Sequence, residues 1–243
     1  MAEKLKGIVL KSNDKKEKDA SVLLFSLEQG KVYLTLRGVK NPKAKMKIAQ
    51  NPFTFGEFIV EEGKSGKIVT GFECIESFHE IAENIDKYFE ASAILEIVDK
   101  LEFSTDKERA DVFVLVIKSL KTICFSENVR SCYVLDKFLI ELFKLSGFPL
   151  YSDKCTCCNS TSFDKLYINY QVGELVCSAC RGFMCEELPK TSYMALKILN
   201  STPLDNLKTI RLASGSEKEL LKILIKNFEV HFSCNLKLIG ILS

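Results

Sequence analysis

CTCCNSTSFDKLYINYQVGELVCSAC, residues 155–180, decides how the second half of this chain is built. It holds Cys155-x-x-Cys158, eighteen intervening residues, and Cys177-x-x-Cys180. Two residues between thiolates let one tight turn aim both sulfurs at a single ion, and two such turns supply four soft ligands. The spacing predicts a structural zinc site on Cys155, Cys158, Cys177 and Cys180, closed to water and substrate. The competing readings are reduced core thiols, a redox pair, or an iron–sulfur cluster, which also takes four cysteines. Cys157, inside the first pair, and Cys185, five positions past the second, stay open as alternative ligands. Adjacent or one-residue spacing makes Cys157 the poorer chelator.

Helical sequence flanks this segment on both sides. Upstream, Ile81, Ile85, Tyr88, Ile94, Leu95, Val98 and Leu101 recur at helical spacing. Thr105-Asp106-Lys107-Glu108 is a capping-box pattern, and a further helix carries Leu135, Phe138, Leu139, Leu142 and Leu145 before Gly147 and Pro149 stop it. Downstream, residues 191–200 and 204–212 read as helical, and Ser216-Glu217-Lys218-Glu219 is a second capping box ahead of Leu220, Leu221, Leu224 and Phe228. The cysteine segment is therefore expected as an insertion in a helical body, with a hairpin strand between its knuckles.

Toward the N-terminus the period falls to two. KVYLTLRG sets Val32, Leu34 and Leu36 against Lys31, Tyr33, Thr35 and Arg37. Apolar runs at 5–11, 20–27, 53–60 and 67–75 bring the number of short strands to five, a number suited to a small closed sheet. The expected class is α+β: an N-terminal five-stranded OB-like β-barrel, then an α-helical domain carrying an inserted four-cysteine zinc module. Its parts are the barrel (1–77), a helical domain (78–150), the zinc module (151–187) and C-terminal helices packing with that domain (188–243).

With 243 residues, 47% hydrophobic and 27% charged, the composition is that of an ordinary globular protein. The N-terminus lacks a secretory apolar region, and the longest apolar stretch is too short to span a bilayer, so a cytosolic protein is expected. Six of ten cysteines fall within 155–185; Cys74, Cys124, Cys132 and Cys234 read as buried thiols in a reducing compartment.

The net charge of +2 hides an uneven distribution. Between Lys31 and Gly56 lie Lys31, Arg37, Lys40, Lys43, Lys45 and Lys47, with no acid. A solvated surface is the bland reading of such a run. The absence of acids, and the neighbouring Tyr33, Phe53 and Phe55, favour a cationic groove with stacking aromatics, as OB-folds use for single strands. Lys11, Lys15, Lys16 and Lys18 extend the patch, against Asp14, Glu17 and Asp19. Neither a phosphate-binding glycine loop, an HExxH nor a GxSxG is present, and His79 and His231 are isolated. An enzyme is not expected.

Taken together, KGIVLKSNDKKEKD (6–19), VLLFSLEQGKVYLTLRGVKNPKAK (22–45), Pro52-Phe53, GFPL (147–150) and the CxxC pairs resemble the RecO family of bacterial recombination mediators. The resemblance implies binding of single- and double-stranded DNA and annealing of complementary strands. It also implies RecR and single-strand-binding protein as partners in loading recombinase, with a cytoplasmic, nucleoid-associated location and neither a membrane nor a small-molecule substrate. Where the family often has Gly after its first CxxC, this chain has Asn159, which tolerates left-handed backbone. The alternative reading is a zinc-stapled protein-interaction scaffold that does not bind DNA.

Overall fold

The structure, a computed structural model, describes residues 2–15, 17–64, 66–130 and 132–237. Lys16 lies outside the described residues. Two compact units are present, one formed by Met1–Asn84 with Leu101–Val114, the other by Ile85–Lys100 with the described residues from Leu115 onward.

In the first unit β1 (Glu3–Asp14), β2 (Ala20–Ser26), β3 (Gly30–Leu36), β4 (Phe55–Gly63) and β5 (Gly66–Glu76) close a barrel in the order β1-β2-β3-β5-β4. That order, with β4 returning to β1, is the OB arrangement expected from the strand count. All junctions are antiparallel except β3 with β5, which pair in parallel through Leu34↔Lys67 and Thr35↔Ile68. Strand alternation fills the interior with Leu5, Val9, Val22, Leu24, Leu34, Leu36, Phe58 and Val60. Other apolar side chains meet the segment Leu101–Val114: Phe25 stacks on Phe103 at 5.2 Å, and Phe113 packs against Phe25 and Phe55. Arg109 fixes this cover by donating from Nε to the Leu27 carbonyl (2.8 Å) and from a terminal nitrogen to that of Glu28 (2.9 Å).

The second unit contains α1 (Ile85–Lys100), part of α2 (Asp106–Phe125), α3 (Tyr133–Leu145), α4 (Lys190–Ser201) and α5 (Ser216–His231). α3 is central, buried along most of its length and packed on α1, α4 and α5. Buried Lys137 on α3 donates to the Leu199 carbonyl (2.9 Å) and pairs with Glu141 (2.5 Å), so a cation meets the negative end of α4. The cysteine segment forms a sheet of β6 (Leu166–Asn169), β7 (Glu174–Cys177) and β8 (Cys185–Leu188), in the order β7-β6-β8. It rests on α5, where Lys226 lies 4.7 Å from the centre of the Tyr170 ring and pairs with Glu186. His231 stacks on Phe148 at 4.6 Å, a packing role.

Several local expectations need correcting. The Thr105 box forms: Thr105 Oγ1 accepts the Glu108 N–H (3.1 Å), and Glu108 reaches back to the Ser104 N–H (3.0 Å). The Ser216 box does not, because Ser216 Oγ donates to the Ala213 carbonyl and Glu219 is taken by Thr191 and Ser192 of α4. Residues 204–212 make only a 3₁₀ turn, Leu204–Thr209. Cys124 and Cys132 are buried as expected, but Cys74 is exposed on β5 and Cys234 is half-buried.

Candidate functional site

Two places concentrate candidate functional side chains, one in each unit. In the second unit the sulfurs of Cys155, Cys158, Cys177 and Cys180 all lie within 4.8 Å of one another, a cluster that can hold a metal ion. β7 delivers Cys177, and the turn after it delivers Cys180, whose N–H bonds the Cys177 carbonyl (3.1 Å). The first turn is closed by the Asn159 N–H on the Cys155 carbonyl (2.9 Å). Asn159 adopts the left-handed conformation, φ 59°, which glycine and asparagine tolerate better than other residues. Asn159→Val should therefore cost about 1–3 kcal/mol in chemical denaturation. Asn159→Gly should be neutral or stabilising, and an equal cost for both would refute this account.

The electrostatics of the cluster suit a cation. Burial opposes ionisation of Cys155, yet N–H groups of Cys158, Cys177 and Cys157 aimed at its sulfur outweigh burial and bring the thiol down to about 6. The Cys177 N–H is 3.3 Å from that sulfur. Cys180, crowded by the Cys158 and Cys177 sulfurs, is pushed up. Four thiols so close cannot all ionise without a positive charge among them, which a divalent ion provides. Cys157 is exposed, and Cys185, outside the cluster, accepts the Gly182 N–H at 3.3 Å. Cys185 begins a strand that its sequence does not announce, since CEEL shows no alternation of apolar and polar residues.

In the first unit the acid-free segment follows β3. Arg37, Lys43, Lys45 and Lys47 are exposed, and among the described residues none forms an ion pair. Lys31 instead pairs with Glu102 (3.0 Å) and Lys40 with Asp14. The β1–β2 connection runs beside this loop: the Lys40 N–H bonds the Lys18 carbonyl (3.2 Å), and the Gly38 N–H bonds Asp19 (2.9 Å). Lys18 is thereby brought alongside, while Lys15 is held by Thr35 (2.7 Å). Of the three aromatics, Tyr33 is 66% exposed on β3. Phe53 and Phe55 are buried in the barrel unit and cannot stack on a ligand, a correction to the expected groove.

The fold and site define a class: proteins in which a closed OB-like barrel with an exposed cationic loop is joined in one chain to a helical body bearing a four-cysteine cluster that can hold a metal ion. The chain matches "Recombination protein O N terminal" over residues 1–78 and "Recombination protein O C terminal" over residues 82–237. It belongs to the recombination protein O family, a family of DNA repair and recombination proteins. Similar curated proteins include "DNA repair protein RecO" of Clostridium perfringens, 26% identical over 89% of this chain and 87% of that protein. The protein of the same name from Clostridium novyi is 27% identical over 91% and 86%, and that from Shouchella clausii 28% identical over 74% and 69%. Among the described residues, no helix is long and apolar enough to cross a membrane.

Proposed function

We propose that this protein is a non-catalytic recombination mediator. It binds single- and double-stranded DNA, anneals complementary strands, and acts with RecR and single-strand-binding protein to load recombinase in the bacterial cytoplasm. One observation carries the reading: a run of cations, Arg37, Lys43, Lys45 and Lys47, unpaired among the described residues, on the acid-free loop of an OB barrel. Tyr33, exposed on the strand leading into that loop, offers a ring for base stacking. Lys31 and Lys40, already paired with acids, contribute less.

Neutralising phosphates releases counterions, so each single-strand contact adds about 0.7 to the slope of log affinity against log salt. Reversing Lys43, Lys45 and Lys47 together should flatten that slope by about 2 in fluorescence anisotropy with a labelled oligonucleotide. An unchanged slope would remove the loop from the interface. Annealing assays with and without single-strand-binding protein then test the mediator role itself.

The cysteine cluster is proposed to hold one structural zinc ion. Tetrahedral zinc with bonds of about 2.3 Å sets ligand sulfurs about 3.8 Å apart, and the Cys158 and Cys177 sulfurs are separated by 3.8 Å. With four protein ligands and no open position, its work is architectural.

A further inference from the structure

Among the described residues, α4 and α5 share a cationic exterior that the barrel loop does not account for. α4 contains no acid; Lys190 and Lys197, seven residues apart on one face, are both exposed. On α5, Lys218, Lys222 and Lys226 recur every fourth residue along one exposed line, about 6 Å per step. Among the described residues the acids of α5, exposed Glu219 included, form no ion pair with these lysines. Glu219 receives the hydroxyls of Thr191 (3.2 Å) and Ser192 (2.7 Å), Glu229 accepts the Leu236 N–H (2.9 Å), and Glu217 is half-buried. The bonds to Glu219 also seat the first turn of α4 against α5 between Lys218 and Lys222, gathering Lys190 with them. Among the described residues, Lys190, Lys218 and Lys222 have no ion-pair partner; Lys226 is committed to Glu186 and Tyr170.

We propose that Lys190, Lys218 and Lys222, flanked by Lys197, form a second phosphate-backbone surface on the helical unit, so that one chain holds two nucleic-acid segments at once. The inference rests on the DNA-binding reading and extends it: joining two strands requires a place for each. An evenly spaced row of cations matches a polymer of evenly spaced charge better than a single anion. A membrane surface fits poorly, because interfacial helices need a free apolar face. Of the apolar residues of α5, Leu220, Leu221, Leu224 and Phe228 are buried and Ile223 and Ile225 half-buried, which leaves Val230, near the end of the helix, too little to make such a face.

The test compares the full-length wild type with Lys190→Glu/Lys218→Glu/Lys222→Glu and with the barrel-loop triple reversal, using a labelled twelve-residue oligothymidylate. Far above the dissociation constant, the wild type should bind two oligonucleotides per chain and each variant one. The salt slope of the helical variant should flatten by about 2. Because the substituted lysines are exposed, its thermal melting should match the wild type; the Lys→Gln triple serves if the reversal does not fold. Two oligonucleotides on the helical variant, or one on both it and the wild type with an unchanged slope, overturns the proposal and leaves the barrel reading standing. Loss of phosphatidylserine-vesicle binding with unchanged oligonucleotide binding also overturns it. No binding by the wild type defeats the DNA-binding reading itself, and this inference with it.

Discussion

Cys155→Ser protein is expected to retain less than a tenth of the wild-type metal content and to lose the order of residues 151–188. The Cys155 side chain is fully buried, and its sulfur accepts the Cys177 N–H. A serine oxygen is a weaker ligand and a poor filler of that space. Binding of zinc by small cysteine sites is worth on the order of 10 kcal/mol, and it is realised as folding free energy. Losing one of four ligands should remove several kcal/mol, enough to unfold the three-stranded sheet before the helices around α3. Metal analysis with limited proteolysis checks this, with cleavage expected between Leu150 and Lys190. Because the barrel loop belongs to the other unit, its share of oligonucleotide affinity should survive. Cys157→Ser is the control: exposed and outside the cluster, it should change neither metal content nor proteolysis. If Cys155→Ser keeps its metal while Cys157→Ser loses it, the ligand assignment is wrong.

The second large effect lies in the helical core. Glu90 of α1 is buried and accepts the Leu135 N–H at 2.9 Å, so a carboxyl from one helix caps the start of another. Burial pushes it up to about 7, against the pull of that N–H and those of Val134 and Cys132. Asp136, fully buried with neither oxygen hydrogen-bonded among the described residues, is pushed up by burial and then by Glu90 and Glu217. Both groups keep a proton in the fold that the unfolded chain gives up near pH 4. Their contribution is full below that value and is lost as pH rises, for Glu90 through about 7, at a cost of about 3 kcal/mol.

Glu90→Gln keeps the acceptor oxygen and abolishes the titration. It should gain about 2–3 kcal/mol over wild type at pH 8 and little at pH 5, measured by urea unfolding. Glu90→Leu, which leaves the Leu135 N–H unpaired, should lose about 1–3 kcal/mol at pH 5. A gain from Glu90→Gln that does not grow with pH would sink the account.

What the sequence disclosed and what it hid follow from the range of the interactions. The CxxC pairs, the alternation of Val32, Leu34 and Leu36, and the Thr105 cap are local, and each depends on residues within a few positions. Phe53 and Phe55 look the same in sequence whether they face solvent or core; a contact with Phe113, far along the chain, decides it for Phe55. Lys31 and Lys40 belong to an acid-free run, yet Glu102 and Asp14 arrive from other segments to neutralise them. The Ser216 box failed for the same reason: hydroxyls on α4 compete for Glu219. The buried Glu90 gave no signal, since a glutamate in a helical repeat reads as solvated.

The parallel junction of β3 with β5 has a dynamic consequence. It holds two register pairs, whereas β1 and β4 share six. β1, β2 and β3 form a meander whose contacts are local, while sealing the cylinder takes two long-range junctions, β1 with β4 and β3 with β5, of which the second has the sparser ladder. Such long closures are made late, and sparse ladders are the first to breathe. The lysine loop starts at Arg37, two residues beyond the last pair of this seam at Thr35, so a strand gripping it would act as a clasp on the junction of the cylinder with the sparsest ladder.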